Sequence, residues 1–573
     1  MTKNTPLLII DTFQKGGFIM KKTILLVALN SKFIHSNLAV HSIATAYDNY
    51  CNKYKVDLPG ISINEFSIND TEDSIISSIF SKCPDIVAFS VYIWNCDFVQ
   101  KLCKKIKLIM PEIKIILGGP QVSFGLESTK FEESDYDYII RGEGERAFFC
   151  LANEISENDF VALPEWDFSF DGKTASCRNA ESLDEYSFVY NDNNITSFDN
   201  RIIYYESSRG CPFRCAYCLS SVCGKVRGLD INRVKSDLNF FLTHNVRQVK
   251  FVDRTFNYDK KRAIEIWKYL IENCDNNLTN FHFEISADII DNEAIEVLSE
   301  SPKGMIKIEA GIQSFNSKTL EEINRKCDLD TLKENLKKIL SYENINIHSD
   351  LIIGLPYEGI DSFKDSFIKA YSIKSHQLQL GFLKLLPGAP LNNMIEKHGY
   401  VFSENPPYEI ISNNYLTAFE ILYLKKFEDV FEKLYNSGRF VLSLEYLENY
   451  FENAYEMFEK ITEFFEENNL IYSSVSTKTL YCFLRRFFIK FCQEDSIKFD
   501  EILLLDYYCS ERSEQIPIDL KYLTSHQKER KEELLKTVSD KNKNFVRLIG
   551  DKAYLFSYES KDPVNERYSY RQI

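Results

Sequence analysis

Short apolar, β-branched runs alternate with amphipathic stretches in two successive blocks of this chain, and that rhythm limits its fold more than any other feature. Thr23–Leu29 (TILLVAL), Asp85–Val91 (DIVAFSV) and Lys114–Leu117 are almost continuously apolar, with Asp73–Phe80 and Phe98–Met110 as amphipathic segments between them. Strands without a polar face need cover on both sides, so the pattern predicts a parallel sheet wrapped by helices. Asp137–Ile140 adds a fourth strand. In such sheets ligands bind beyond the carboxyl ends of the strands. Four polar turns fall there: Asn30-Ser31, Ser90–Asn95, Gly118-Gly119-Pro120 and Arg141–Glu145.

Glu154–Asn200 is rich in Asp, Asn, Ser and Glu without a strong period and reads as a linker. The alternation then resumes in Arg201–Tyr205, Gln248–Val252, Phe281–Ile285, Ile306–Ala310, Asn346–Ile353 and Gln379–Lys384. Repeated βα units of this length predict a barrel or partial barrel with its chemistry at the carboxyl strand ends. Beyond about Asn405, Glu409–Tyr435, Tyr446–Glu467 and Lys478–Gln493 carry Phe, Tyr and Leu at spacings of three and four, as helices do. The expected organisation is therefore an α/β domain over 20–150, a linker over 151–200, a barrel over 201–400 and a helical domain over 401–573.

Composition narrows the function classes. Across 573 residues, 44% are apolar and 27% charged, which excludes wholesale disorder. The net charge of −16 is the opposite of what gripping nucleic-acid phosphates demands, so a small molecule or a peptide is the expected substrate, with no nucleic acid. The N-terminus has an apolar patch, Leu7–Ile10, but no basic n-region or small-residue cleavage site, and Met20-Lys21-Lys22 offers a second start. The longest apolar runs are far below the ~20 residues that cross a bilayer. The 15 cysteines are odd in number and widely scattered, unlike a disulfide framework, so a reducing cytoplasm is expected, with no membrane partner.

Three of those cysteines stand apart. Cys211-Pro-Phe-Arg-Cys215-Ala-Tyr-Cys218 directly follows the first barrel strand. Thiolates are the natural ligands of iron–sulfur clusters and of zinc. The residues alone leave three readings: a cluster on three thiolates, a zinc site that recruits Cys223, or unrelated buried cysteines. A four-iron cluster on three cysteines leaves one iron open, and an open coordination site is where metal chemistry happens.

This loop resembles that of the radical SAM superfamily, in which a C-x3-C-x2-C loop follows the first strand of a partial (β/α)6 barrel of TIM type. The resemblance implies a 4Fe-4S cluster on Cys211, Cys215 and Cys218, whose open iron chelates S-adenosylmethionine (SAM). One electron then cleaves SAM to a 5′-deoxyadenosyl radical. It also implies adenine packing at Tyr217, a turn near the SAM amino group at Asp253 (FVDRTF), ribose and carboxylate contacts at Glu284 and Ser286, and a G-x-Q-S signature containing Gln313. Asp350–Pro356 resembles the D-x-I-x-G-x-P motif of the fifth strand.

The first block resembles the Rossmann-like cobalamin-binding domain found upstream of many radical SAM domains. The resemblance implies cobalamin contacts at Ser90, Tyr92, Asn95, Gly118, Gly119, Glu143 and Gly144. Adjacent glycines fit a nucleotide tail that must approach backbone. The D-x-H-x-x-G motif that supplies a cobalt-ligating His elsewhere is absent, and neither His35 nor His41 has its context. The benzimidazole is therefore expected to be displaced, with Asn95 or a neighbour at the lower face. The C-terminal part resembles a domain of uncharacterised function attached to one group of B12-binding radical SAM proteins, and its aromatic stripes, Phe427-Phe431-Tyr435 and Phe451-Tyr455-Phe458, are expected to be core.

Together these resemblances imply a cobalamin-dependent radical SAM methyltransferase acting on an unactivated centre, reduced by a flavodoxin or ferredoxin. Two alternatives are a B12-dependent radical SAM oxidoreductase or rearrangement enzyme without methyl transfer, and a non-catalytic cobalamin or redox sensor.

Overall fold

The structure, a computed structural model, describes residues 22–158, 160–222, 224–274, 279–492, 494–513, 515–524, 534 and 543–573. The N-terminal patch, Met20-Lys21 and Cys223 lie outside the described residues. The chain forms two compact units, one from the residues up to Ala180 with Glu185–Asn191, the other from Glu181–Asp184 and Asp192–Ile573. Among the described residues no helix is long and apolar enough to cross a membrane.

The first unit is built on seven strands: β1 (Thr23–Asn30), β2 (Gly60–Ser67), β3 (Ile86–Ser90), β4 (Lys114–Gly118), β5 (Tyr138–Arg141), β6 (Ser169–Phe170) and β7 (Thr174–Ser176). Their order is β2-β1-β3-β4-β5-β7-β6, parallel except where β6 meets β7. β1 and β3 are buried along nearly their whole length, as residues covered by helices on both faces must be. The strand order reverses at β1, which places a crevice at the carboxyl ends of β1 and β3. The sheet is larger than the sequence pattern shows. β2 alternates polar and apolar residues on the sheet edge and carries no continuous apolar signal. The stretch read as a linker contributes β6 and β7, so the sheet extends to Ser176.

The second unit opens with six parallel strands in sequential order: β8 (Ile203–Tyr205), β9 (Gln248–Phe251), β10 (Asn280–Ile285), β11 (Ile306–Gln313), β12 (Asn346–Ile353) and β13 (Gln377–Phe382). In β11 and β12 burial alternates strictly, so Ile306, Ile308, Ala310 and Ile312 point to the helices, while Lys307, Glu309, Gly311 and Gln313 share the opposite, less buried face. Side-chain caps start the helices between strands. Asp230, Asp259, Asp291, Asn316 and Asp328 each accept backbone N–H bonds at a helix N-terminus.

The C-terminal part is helical through Ala418–Phe431, Val441–Leu447, Ala454–Glu467, Thr477–Phe491 and Ile497–Ser510. It then ends in an antiparallel sheet of β14 (Asn544–Ile549), β15 (Lys552–Ser557) and β16 (Ser569–Gln572), which the aromatic periodicity did not foretell. Phe427, Phe431, Tyr455 and Phe458 surround Phe367 of the last barrel helix at centroid distances of 5.1–6.2 Å, so these four residues of the aromatic stripes are core, while Tyr435 and Phe451 are half-buried. Asn436 completes the open edge of the barrel sheet. Its Oδ1 accepts from Leu378 N–H at 2.9 Å and its Nδ2 donates to Leu378 O at 3.0 Å, the pairing a further strand would make.

Candidate active site

The cysteine loop leaves β8 through Gly210, whose φ of +107° and close approach to Lys225 O (3.1 Å from an added Cβ) only glycine accommodates. Backbone bonds then fix the loop. Ala216 N–H donates to Ile323 O (2.8 Å), Leu391 N–H to Ala216 O (2.8 Å), and the Asn324 amide to Arg214 O (3.0 Å). The three thiols line one cavity of about 200 Å³ at the carboxyl end of the barrel sheet. Tyr217, Glu284, Ser286 and Gln313, singled out in the sequence, line the same cavity. Cys211 Sγ lies 3.5 Å from Thr255 Oγ1, and burial pushes the Cys215 thiol up against the opposing pull of Arg325.

Gln313 sits at the end of β11 with φ +72°, after a register shift at Gly311. A Cβ on Gly311 would meet the Gln313 side-chain amide at 2.1 Å, so glycine there lets Gln313 fold back over its own strand. Ser286 donates its hydroxyl proton to Asp288 (2.7 Å), and Asn257 bonds both its N–H and its carbonyl. Glu284 is raised to about 7 by burial, with Arg254 pulling it back. Beneath it, Lys250 donates to Glu309 at 3.0 Å and His282 Nε2 stands 3.2 Å from the same carboxylate. Burial raises the Glu309 carboxyl, but that imidazole and ammonium outweigh it and hold Glu309 well below the usual range.

Asp253 departs from expectation. It is 1% exposed, does not line the cavity, and accepts from Ser207 N–H (2.9 Å), Ser207 Oγ (2.6 Å) and Ser208 Oγ (2.6 Å). It anchors the strand that leads into the cysteine loop. Several cavity residues were not expected as ligand contacts, among them Arg254, Arg325 and Asp350. Asp350 lies within the D-x-I-x-G-x-P motif, and its Oδ1 stands 3.2 Å from His348 Nε2. Arg325 follows a six-residue helix, Ser317–Glu322, with no pattern to mark it.

The donor set fits an iron–sulfur cluster. The described residues contain no group of three His, Cys, Asp or Glu able to hold one metal ion between them. Three thiols along one cavity wall instead suit a cluster, in which each cysteine takes its own iron.

In the first unit, Gly118 and Gly119 end β4 at the crevice, and a Cβ on Gly118 would meet no atom within 4 Å. Ser90 ends β3 and accepts from the Asn37 amide at 3.3 Å. Tyr92 and Trp94 stack at 4.3 Å, with Trp94 46% exposed. Glu143 and Gly144 begin the helix Gly144–Ile155, where Gly144 packs against Ile43. This glycine-floored edge, open at Gly118 and bordered by a half-buried Tyr92 stacked on an exposed Trp94, fits a flat macrocycle with a nucleotide tail. Asn95 does not serve as expected. It is fully buried, its Nδ2 donates to Leu29 O and Ser90 O at 3.0 Å each, and its Oδ1 accepts from Tyr92 N–H at 2.8 Å, which leaves the amide committed to shaping the loop. His41 is paired with Glu65 at 2.8 Å.

Three family models match in order: "B12 binding domain" over residues 24–151, "Radical SAM superfamily" over 205–369, and "Protein of unknown function (DUF4080)" over 396–557. The chain is 28% identical over 349 residues to the cobalamin-dependent radical SAM methyltransferase TokK of Streptomyces tokunonensis, covering 55% of this chain and 49% of TokK. It thus spans about half the length of the curated relatives it matches. Among solved structures it resembles the cobalamin-dependent SAM radical enzyme OxsB with aqua-cobalamin and SAM bound (TM-score 0.56, 14% identity, 85% of this chain and 84% of that one). It also resembles the radical SAM methyltransferase TsrM of Kitasatospora setae with cobalamin and a 4Fe-4S cluster bound (TM-score 0.51, 14% identity, 66% and 78%). These likenesses are to the fold. The three matches in order give the chain a B12-binding domain, a radical SAM domain and a C-terminal domain of unknown function.

Proposed function

We propose that this protein is a cobalamin-dependent radical SAM methyltransferase acting on an unactivated centre of a small molecule or peptide. The observation that carries the reading is the convergence of Cys211, Cys215 and Cys218 with Tyr217, Glu284, Ser286 and Gln313 on one cavity. Bound there and in the first unit's crevice, the cluster supplies the electron for reductive cleavage of SAM and cobalamin carries the methyl group. The chain's own residues bind and orient. The three cysteines hold the cluster and Tyr217 packs adenine. Ser286, its proton spent on Asp288, offers a lone pair to the ribose or amino group. Glu284, buried and raised to about 7, is poised between accepting and donating a hydrogen bond near neutral pH. Asp253 acts at one remove, through Ser207 and Ser208. Ser90, Tyr92, Gly118, Gly119, Glu143 and Gly144 form the cobalamin crevice, Asn95 shapes it, and a flavodoxin or ferredoxin in the cytoplasm reduces the cluster.

Counting products tests methyl transfer. Anaerobic protein given SAM, reductant and substrate-containing cell extract is expected to form S-adenosylhomocysteine and 5′-deoxyadenosine in equal amounts. 5′-Deoxyadenosine without S-adenosylhomocysteine would instead establish radical chemistry without methylation.

A further inference from the structure

We propose that Arg325 is the counter-cation of the cluster and raises its reduction potential, an inference that rests on the function proposed above. Arg325 lines the cavity with the three thiols. One terminal nitrogen, Nη1, lies 4.0 Å from Cys215 Sγ, while Nη2 donates to Gly311 O. Its Nε is buried with no hydrogen-bond partner. Among the described residues no Asp or Glu carboxylate forms an ion pair with this guanidinium, and the ionisable groups that act on its charge most strongly are Tyr217, Cys215 and Cys327. A buried cation without an anion is costly to hold. A cluster on three thiolates supplies the missing negative charge, and gains one more unit on reduction.

The position is fixed rather than incidental. The segment that delivers Arg325 is clipped to the cysteine loop by Ala216 N–H to Ile323 O (2.8 Å) and by the Asn324 amide to Arg214 O (3.0 Å). Asn324 takes a left-handed φ of +53° to make that turn, and Arg325 N–H closes it on Leu320 O at 2.8 Å. The backbone that carries Arg325 is therefore tied to the cysteine loop, and the guanidinium itself is held by its bond from Nη2 to Gly311 O. Net charge and hydrogen bonds at the sulfurs set cluster potentials. A fixed positive charge beside Cys215 favours the more negative, reduced state.

Redox titration of the full-length, cluster-loaded protein, followed by electron paramagnetic resonance and normalised to iron content, tests this. At the wild-type midpoint potential, Arg325→Met is expected to lower the reduced-to-oxidised ratio at least tenfold, which is about 59 mV for a one-electron couple. Arg325→Lys keeps the charge and is expected to remain close to half reduced. An Arg325→Met cluster that is still half reduced at that potential overturns the proposal. If Arg325→Met takes up no cluster, Arg325→Lys decides: loading with a near-wild-type midpoint supports the charge, and failure to load shows that packing is what the site needs and overturns it. A wild-type protein that takes up no cluster refutes the proposed function as well, whereas a loaded wild type with an unshifted Arg325→Met refutes this inference alone.

Discussion

The paired glycines at the end of β4 give opposite expectations for the same substitution. Gly119 has φ +108° and ψ 173°, a region that costs a side-chain-bearing residue ~1–3 kcal/mol. Its added Cβ would lie 2.5 Å from Val91 O, a backbone atom that cannot rotate away. Relieving that contact disturbs the bond from Gln121 N–H to Val91 O (3.3 Å), which contributes about 1 kcal/mol. Gly119→Ala is therefore expected to destabilise the crevice by about 2–4 kcal/mol. At Gly118 an added Cβ meets nothing within 4 Å and the φ is not left-handed, so Ala should change stability by less than about 1 kcal/mol. Native-state hydrogen exchange of the β3 and β4 amides in the cobalamin-free protein reads both values. Cobalamin titration adds a second contrast. The Gly118→Ala methyl intrudes on the open space proposed for the nucleotide tail, so affinity should fall about tenfold, or ~1.4 kcal/mol, with stability intact. Equal destabilisation by the two substitutions would refute the geometry.

Glu284 gives a pH signature. Its folded value near 7 stands above the ordinary 4.5, so its contribution to stability is full below about pH 4.5 and is lost as pH rises through about 7. The loss is about 3 kcal/mol, and Glu284→Gln should flatten the fall in unfolding midpoint between pH 5 and 8. Asn436→Leu removes both bonds to the barrel edge, costs about 2 kcal/mol, and should speed hydrogen exchange at the Leu378 amide before other strands. Arg567→Met strands the fully buried Asp506, which Arg567 meets at 2.6 Å, and should cost about 3–5 kcal/mol in chemical denaturation.

The six barrel strands were legible because each carries a buried apolar face between turn signals. β2 was not, since an edge strand such as GISINEFS alternates weakly. β6 and β7 have two and three residues, too few for any period, and their place in the sheet comes only from pairing with β5. At the site, local spacing revealed the cysteines, and strand-end motifs revealed Glu284, Ser286 and Gln313. Polar residues such as Asp253 and Asn95 read equally well as ligand contacts or as internal clamps, because one sequence does not say which way a side chain points. Arg325 is brought to Cys215 by a contact 110 residues distant in sequence, which no local pattern encodes.

The most direct measurement is of SAM cleavage by the cluster. Anaerobically reconstituted wild-type protein should carry close to four irons per chain and form 5′-deoxyadenosine from SAM under strong reductant. The Cys215→Ala variant, folded by circular dichroism, should form none. A variant that still makes 5′-deoxyadenosine, or a fully loaded wild type that never does, would contradict the account.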